Sequence, residues 1–275
     1  MTCKICGAAA RIFGEATVMG KHKAQYAQCA GCGFIFVPDP SWLAEAYAEP
    51  INRSDTGYVA RNLWARDKVR ECIDSHLNPD GRFLDYAGGW GLFVRLMRDI
   101  GYDFLWSDAY TENLFCRGFE AAEPLTGPFE AVTAFEVFEH LTNPGEEVKK
   151  LSAITSCLIF STKLVPEPAP EPKAWWYYGL EHGQHVALYT RKSLELLAGR
   201  FGCHFVTDGA DLHLFSRELM PPDFFSQPRV SRWPFWAKPK TRADRPSLAM
   251  SDYDLIAKKM ARDQAKSTDS KNGAT

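Results

Sequence analysis

The sequence predicts an α/β protein in which a parallel sheet covered by helices ends in an antiparallel hairpin, preceded by a small cysteine-rich module. From residue 81 onward, short apolar runs alternate with helical stretches, as in parallel sheets. The turn signal Asp208-Gly209 separates two alternating segments, which predicts the hairpin. Two Cys-x-x-Cys pairs lie within the first 40 residues, a segment too short to build its own core.

The chain has 275 residues, 45% of them hydrophobic, which is enough for one full-sized core plus an appendage. No stretch approaches the roughly 18 uncharged apolar residues that span a bilayer, and the start, MTCKICGAAARIF, lacks the apolar run of a secretory signal. We therefore expect a cytoplasmic protein. In that compartment closely spaced cysteines bind metal or do redox work more often than they form disulfides.

The net charge of −2 is unevenly distributed along the chain. Residues 229–275 carry 11 Lys/Arg against 5 Asp/Glu, so this tail has a charge of +6 and residues 1–228 have a charge of −8. Nucleic-acid binding depends on clustered cations that neutralise phosphates. The acidic body therefore argues against a nucleic-acid partner. Only the basic tail leaves nucleic-acid binding open, as the weaker interpretation.

Four segments are expected along the chain. They are a zinc-binding module at 1–40, a helical connector or lid at 41–80, the α/β domain at 81–219, and a basic tail rich in proline and aromatics at 220–275. The tail is expected to contain a short helix over 250–266 and to end in disorder. Within the α/β domain the predicted strands are Arg82–Tyr86, Asp103–Ser107, Ala131–Glu136 and Cys157–Thr162, and the predicted helices lie near Gly91–Ile100, Pro144–Ile154 and Arg191–Phe201.

The paired cysteines, Cys3 with Cys6 and Cys29 with Cys32, predict a structural zinc site. Each pair forms a tight turn that can direct two thiolates at one tetrahedral ion, and 22 residues separate the pairs. Four protein ligands leave no position for water or substrate, so the ion would replace the core that this segment lacks. Free surface thiols or a redox pair are the alternatives. The four other cysteines are isolated and are expected to be small buried residues.

A glycine-rich turn follows the first predicted strand, in the segment Asp85-Tyr86-Ala87-Gly88-Gly89-Trp90-Gly91. Glycine lets the backbone approach a ligand closely. Asp108 lies 23 residues beyond Asp85, near the roughly 20-residue offset at which a carboxylate binds ribose hydroxyls in a mononucleotide-binding half-sheet. Together the turn and the acid favour a nucleotide-type cofactor, although a tight structural turn would also explain the glycines.

The segment Leu84–Gly91 resembles motif I of class I methyltransferases, and Asp108 takes the place of the ribose-binding acid of that family. The sequence AFEVFEHL at 134–141 resembles the family's segment after strand four. The chain is similar to methyltransferases that use S-adenosylmethionine (SAM) and occur beside glycosyltransferases in polysaccharide clusters. A zinc module followed by a methyltransferase also resembles deoxysugar C-methyltransferases. The resemblance covers roughly residues 1–215 and implies a Rossmann-like sheet and SAM as cofactor.

The resemblance also implies roles for individual residues in cofactor binding. Asp85 would face the methionine amino group, Gly89 and Gly91 would line the amino-acid moiety, Asp108 would hold the ribose, and Phe135 and Glu136 would flank the sulfonium. Ala87 replaces the first glycine of the motif and narrows the turn. A dinucleotide-dependent dehydrogenase is the main rival, but it predicts Gly-x-Gly-x-x-Gly and a second mononucleotide half, neither of which the sequence contains.

Two segments are candidates for the acceptor site, because both follow predicted strands. In the first, His140 is a candidate general base, or alternatively a histidine that satisfies local backbone at a helix start. The second, residues 175–186, places four consecutive aromatics beside histidines and a carboxylate, which suits the apolar faces of sugars and the sulfonium; a packed lid is the alternative. Its candidate catalytic residues are Tyr178, Glu181, His182 and His185.

His185 matches the histidine of the "EH" pair in deoxysugar C-methyltransferases, whereas Gln184 stands where those enzymes have glutamate. This replacement favours O-methylation. We therefore expect methyl transfer from SAM to a hydroxyl of a sugar or of a glycan or polysaccharide precursor. A sugar C-methyltransferase, a non-catalytic binding module with the same fold, and an RNA methyltransferase are the alternatives.

The tail interleaves cations with aromatics between Arg229 and Lys240. Aromatic rings and basic side chains suit the headgroup region of a bilayer, so peripheral membrane association is one interpretation. A strap whose aromatics pack on the body is the other.

Overall fold

A computed structural model describes residues 1–53, 55–226 and 245–272, with the side chains of residues 264–272 excepted. The strands are β1 (Ala10–Val18), β2 (His22–Cys29), β3 (Ile35–Phe36), β4 (Arg82–Tyr86), β5 (Asp103–Ser107), β6 (Ala131–Ala134), β7 (Cys157–Ser161), β8 (Ala187–Leu188), β9 (His204–Thr207) and β10 (Leu212–Ser216). The helices are α1 (Leu43–Ala46), α2 (Tyr58–His76), α3 (Leu92–Asp99), α4 (Pro144–Ser152), α5 (Arg191–Arg200) and α6 (Ala249–Asn272).

The main sheet has six strands in the order β5-β4-β6-β7-β10-β9. The first four strands are parallel, whereas β10 runs antiparallel to both β7 and β9. Helices α2 and α3 pack on one face, and α4 and α5 pack on the other. Because both faces are covered, every residue of β6 and β7 is buried, which explains their unbroken apolar runs. The predicted α/β, Rossmann-like fold with its terminal hairpin is confirmed.

Some element boundaries differ from the predicted ones, most clearly at the end of β6. This strand stops at Ala134 rather than at Glu136, because Glu136 has a φ of 54°, which lies outside the extended region. Strand β7 stops one residue before Thr162, and α3, α4 and α5 are one to two residues shorter at their ends than predicted.

A second, smaller sheet contains β1, β2, β3 and β8 in that order. The first three strands come from the cysteine-rich segment, but β8 belongs to the loop after the main-sheet strand β7, and it pairs with β3. Tyr26 and Trp42 are buried in one cluster together with Tyr177 and Tyr178. The first 40 residues therefore share both a sheet and a core with the α/β body, which is how so short a segment buries its apolar side chains.

The C-terminal helix α6 is joined to α3 by a buried ion pair between Arg98 and Asp252. Two nitrogens of Arg98 donate to the carboxylate of Asp252 at 2.9 and 2.7 Å, and the Arg98 guanidinium lies 3.8 Å from the ring centre of Phe119. This helix extends to Asn272 and is longer than the predicted 250–266. The tail motif between Arg229 and Lys240 lies outside the described residues. Within the described part of the chain, no helix is long and apolar enough to cross a membrane.

Candidate active site and zinc site

A cavity of about 1240 Å³ opens where β4, β5 and β6 end at their carboxyl termini. Ligands of open α/β sheets bind at this edge. Single-ligand pockets usually measure roughly 300–1,000 Å³. The cavity is therefore large enough for a cofactor and an acceptor side by side.

Ten of the twelve predicted cofactor and catalytic residues line this cavity. They are Asp85, Ala87, Gly89, Asp108, Phe135, Glu136, His140, Glu181, His182 and His185. Two do not. Tyr178 is fully buried, and its hydroxyl donates to the carbonyl of Pro170 at 2.9 Å, which removes it from the candidate catalytic residues. Gly91 is the N-cap residue of α3 and faces Cys116 and Asn113 instead of the cavity.

The glycine-rich turn after β4 is fastened to the end of β5. The Gly89 N–H donates to Asp108 Oδ2 at 2.9 Å, and the Trp106 indole N–H donates to the Gly89 carbonyl at 2.9 Å. The other oxygen of Asp108 accepts from the backbone N–H groups of Tyr110 and Thr111. These contacts hold the Asp108 carboxylate at the cavity wall, next to the turn.

Ala87 has a φ of 56°, in the left-handed region that costs an L-residue about 1–2 kcal/mol. We expect Ala87→Gly to raise the free energy of unfolding by about 0.5–1 kcal/mol, because relief of this strain exceeds the entropy that glycine adds to the unfolded chain. Denaturant unfolding measures the change. The control is Ala153→Gly, at an exposed position with φ −76°, which should not raise the free energy of unfolding. A loss of stability in Ala87→Gly would contradict the strain assigned here.

Asp85 is the buried acid of the turn. One of its oxygens accepts from the hydroxyl of Thr133 at 2.7 Å. The pKa of Asp85 is raised to about 7, mainly by burial; the Thr133 hydrogen bond lowers it and the charge of Asp108 adds to the rise. A cationic ligand group beside this carboxyl would favour its ionised form.

A cluster of Glu139, His140 and His185 adjoins the cavity: both histidines line it, whereas Glu139 is fully buried and does not. Tyr177 orients two of its members: its hydroxyl donates to Glu139 Oε1 at 2.6 Å, and its backbone carbonyl accepts from His185 Nδ1 at 2.6 Å. With the proton on Nδ1, His185 Nε2 keeps a free lone pair. The rings of His140 and His185 meet edge to face, with their centres 5.0 Å apart.

Two buried atoms of this cluster, Glu139 Oε2 and His140 Nδ1, have no hydrogen-bond partner among the described residues. Burial raises the pKa of Glu139 to about 8, with a further contribution from the charge of Glu136. Burial lowers the pKa of His140 to about 3 and that of His185 well below its usual value, so both imidazoles are neutral.

Gln184 links the cluster's loop to the segment before α2. Its amide nitrogen donates to the carbonyls of Ala46, Glu49 and Pro50 at 2.9, 3.2 and 3.3 Å. A carboxylate has no proton to donate to these carbonyls. A glutamine rather than a glutamate at this position is therefore explained by these three contacts, through which Gln184 forms part of the cavity wall.

Sequence reasoning missed the aromatic side of the cavity, which comes largely from the segment 41–80. Tyr47 and Tyr58 line it, and the Tyr58 hydroxyl accepts from the Trp90 N–H at 3.2 Å. At the mouth Tyr110 and Trp176 are 66% and 70% exposed, an unusual state for large aromatics that also line a cavity. The sequence does contain several aromatic residues before β4, and their number was the available signal. These aromatics follow neither a helical nor a strand period, so the pattern did not assign them to one face.

The cavity lining is acidic. Among its described residues it has eight carboxylates, namely Asp55, Asp85, Asp108, Glu123, Glu136, Glu146, Glu147 and Glu181. The lining contributes only two cations: Arg61, which pairs with Asp55, and Lys150, which pairs with Glu147. Six carboxylates of the lining thus have no basic partner within it.

The four predicted zinc ligands converge at one point. Cys3 Sγ lies 3.7 Å from Cys32 Sγ, and Cys6 Sγ lies 3.4 Å from Cys29 Sγ. Tetrahedral ligands at the usual Zn–S distance of about 2.3 Å are separated by about 3.8 Å, so the cluster is compatible with zinc. Backbone N–H groups of Gly31 and Cys32 point at Cys29 Sγ at 3.3 and 3.4 Å, which suits a thiolate.

The strand order, the glycine-rich turn and the cavity at the carboxyl ends of the strands define the class I, SAM-dependent methyltransferase fold. A family model described as a methyltransferase domain matches residues 59–207, more than half of the chain. The chain belongs to this methyltransferase family. No curated protein matches the sequence significantly.

Solved structures with similar folds include methyltransferases with SAM or its product bound. A magnesium protoporphyrin IX methyltransferase from Synechocystis PCC 6803 with bound SAM is 13% identical, with a TM-score of 0.36 over 64% of this chain and 91% of that one. A SAM-dependent methyltransferase from Bacteroides fragilis in complex with S-adenosyl-L-homocysteine is 16% identical, with a TM-score of 0.39 over 55% of this chain and 77% of that one.

Proposed function

We propose that this protein transfers a methyl group from SAM to a hydroxyl of a sugar or of a glycan precursor. The observation that carries the proposal is that one cavity contains both the glycine-rich turn with its two acids and a histidine cluster with a free imidazole lone pair. Methyl transfer is an in-line displacement. It requires two substrates held in contact and, for a hydroxyl acceptor, removal of one proton.

The cofactor would lie along the ends of β4, β5 and β6. Asp85 would pair with the methionine amino group, and Asp108 would accept hydrogen bonds from the ribose hydroxyls. Phe135 and Glu136, which follow β6, would flank the sulfonium, the first by its ring and the second by its charge. In this arrangement His140 and His185, which also line the cavity, would remain available to the acceptor.

The acceptor would enter past the aromatic mouth. Exposed rings such as Trp176 and Tyr110 suit the apolar faces of a sugar. His185 is the residue that we propose to activate the hydroxyl, because its Nε2 lone pair is free and its ring is oriented by Tyr177. Glu181 and His182 line the same wall and would contact the acceptor.

Transfer to oxygen is favoured over transfer to carbon by the role of Gln184. This side chain serves as a donor to three carbonyls, so it does not replace the acid of the "EH" pair. With Tyr178 turned away as well, the remaining groups suit removal of a hydroxyl proton.

Calorimetry with S-adenosyl-L-homocysteine tests the proposal. We expect micromolar binding, and we expect Asp108→Ala to weaken it by at least about tenfold, since hydrogen bonds to a charged group contribute roughly 1.5–3 kcal/mol. Asp254→Ala, an exposed position on α6, is the matched control and should bind like the parent protein. Absence of binding at millimolar ligand would exclude the enzymatic function and favour a non-catalytic binding module.

A further inference from the structure

We propose that Glu139, His140 and His185 form a second metal site, which binds a divalent transition-metal ion of the zinc type at the acceptor end of the cavity. The site is separate from the four cysteines. Its existence stands on the geometry of the cluster, whereas its role in catalysis rests on the function proposed above.

The first observation is convergence. One ligand atom from each of the three side chains lies within 4.8 Å of the other two, so modest side-chain rotations bring all three to the separation that ligands have around one ion. Two of these side chains also present buried polar atoms, Glu139 Oε2 and His140 Nδ1, that have no partner among the described residues. Buried atoms of this kind are nearly always paired with protein, water or an ion.

The second observation is the outer shell of hydrogen bonds. A histidine that binds metal through one nitrogen usually donates the other N–H to a carbonyl or carboxylate, and ligating carboxylates are themselves hydrogen-bonded. His185 donates Nδ1–H to the Tyr177 carbonyl, and Glu139 Oε1 accepts from the Tyr177 hydroxyl. For His140, the buried Nδ1 without a partner among the described residues is the atom available to an ion. Glu139 and His185 thus each have one polar atom anchored and a second atom available.

The third observation is the chemistry of the ligand set. Glu139 is fully buried, and a divalent cation beside it would supply the opposite charge that a buried carboxylate requires. Two histidines and one glutamate form a ligand set found in catalytic zinc sites, where a further position stays open. Magnesium prefers oxygen ligands, so it suits this set poorly.

The open position explains how the site would act. With the ion bound, the Nε2 lone pair of His185 is a metal ligand and no longer a base, so activation of the hydroxyl would pass from the imidazole to the ion. The acceptor hydroxyl oxygen would coordinate the ion, which lowers the pKa of that hydroxyl. Its proton would leave to solvent through the cavity mouth when the acceptor binds. The resulting alkoxide would form the O–CH₃ bond as the S–CH₃ bond breaks, and the electron pair of that bond would stay on sulfur as the thioether. No oxidant or reductant is required.

Metal content after dialysis against zinc tests the site. We expect two equivalents for the full chain and one for Glu139→Gln and for His185→Ala. His204→Ala, an exposed histidine on β9 outside the cavity, is the matched control and should retain two. Cobalt substitution identifies the ion that each variant keeps, because only the four-cysteine site gives thiolate-to-metal absorption.

Tyr177→Phe provides a second variant that leaves all three ligands in place. Loss of an outer-shell partner typically weakens metal binding by about 10–100-fold, so we expect that loss of affinity at the second site alone. A single equivalent in the parent protein, bound only by thiolates, would overturn the proposal, and so would two equivalents in both ligand variants. If the parent protein binds S-adenosyl-L-homocysteine but holds no second ion, the metal site is excluded and the methyltransferase function stands. If it holds the second ion but does not bind S-adenosyl-L-homocysteine, the methyltransferase function is excluded and the metal site stands.

Discussion

Replacing His185 with alanine is expected to lower turnover by about 10²–10⁴-fold, the range that a group acting on a substrate proton typically contributes. One short hydrogen bond to the Tyr177 carbonyl holds the imidazole ring, and this bond fixes the orientation of Nε2. Alanine removes that lone pair and leaves the cofactor end of the cavity untouched. Affinity for S-adenosyl-L-homocysteine should therefore stay within about twofold, since the lost interaction is made to the acceptor.

Methyl transfer from labelled SAM to a panel of uncharged sugars measures this effect, with calorimetry on the same protein samples. His204→Ala is again the matched histidine control. A fall in product binding equal to the fall in turnover would indicate a damaged fold instead of a lost catalytic group. If His185→Ala and His140→Ala both keep turnover within about threefold, the histidine cluster takes no part in the chemistry.

Disrupting the four-cysteine site is expected to have the largest effect on stability. Zinc binding in small zinc-dependent peptides contributes an apparent free energy of about 10–16 kcal/mol, and here three of the four cysteines lie in the core that β1, β2 and β3 share with the α/β body. We expect Cys29→Ser to lower the melting temperature by on the order of 10 °C, because a loss of several kcal/mol shifts a domain of this size by that amount. The effect should spread into the cavity, because β3 pairs with β8 and the Val186 N–H donates to the Glu139 carbonyl.

Thermal unfolding combined with zinc analysis checks this expectation. Cys203→Ser is the matched control, since this half-buried cysteine lies apart from the cluster, and its change should cost little. Excess chelator should reproduce the effect of Cys29→Ser in the parent protein. A parent protein with less than about half an equivalent of zinc and an unchanged melting temperature in Cys29→Ser would show that the cysteines hold no ion.

The main sheet and much of the cavity could be predicted because both follow from local sequence. Buried parallel strands appear as continuous apolar runs, and side chains that directly follow such strands meet at one edge. Asp85 lies one residue before the end of β4, Asp108 directly follows β5 and Glu136 lies two residues after β6, which is why the sequence alone places them together.

The remainder depends on tertiary contacts that have no local pattern. Tyr177 and Tyr178 are adjacent and chemically identical, yet one orients the histidine cluster and the other packs against Tyr26. The two residues of β8 are too short to be recognised as a strand without their partner β3. Glu139 lies in the segment that resembles the family's sequence after strand four, and only its convergence with His140 and His185 in the structure makes it a candidate ligand.

The acidic lining has a consequence for which acceptors can enter. Six unbalanced carboxylates create a negative potential that attracts the positively charged sulfonium cofactor and repels anions. A sugar carried on a diphosphate would have to keep its phosphates outside the mouth, at a distance where salt screens the repulsion. If the function proposed above holds, we therefore expect neutral acceptors and acceptors bearing an amine to be methylated in preference to their phosphorylated counterparts.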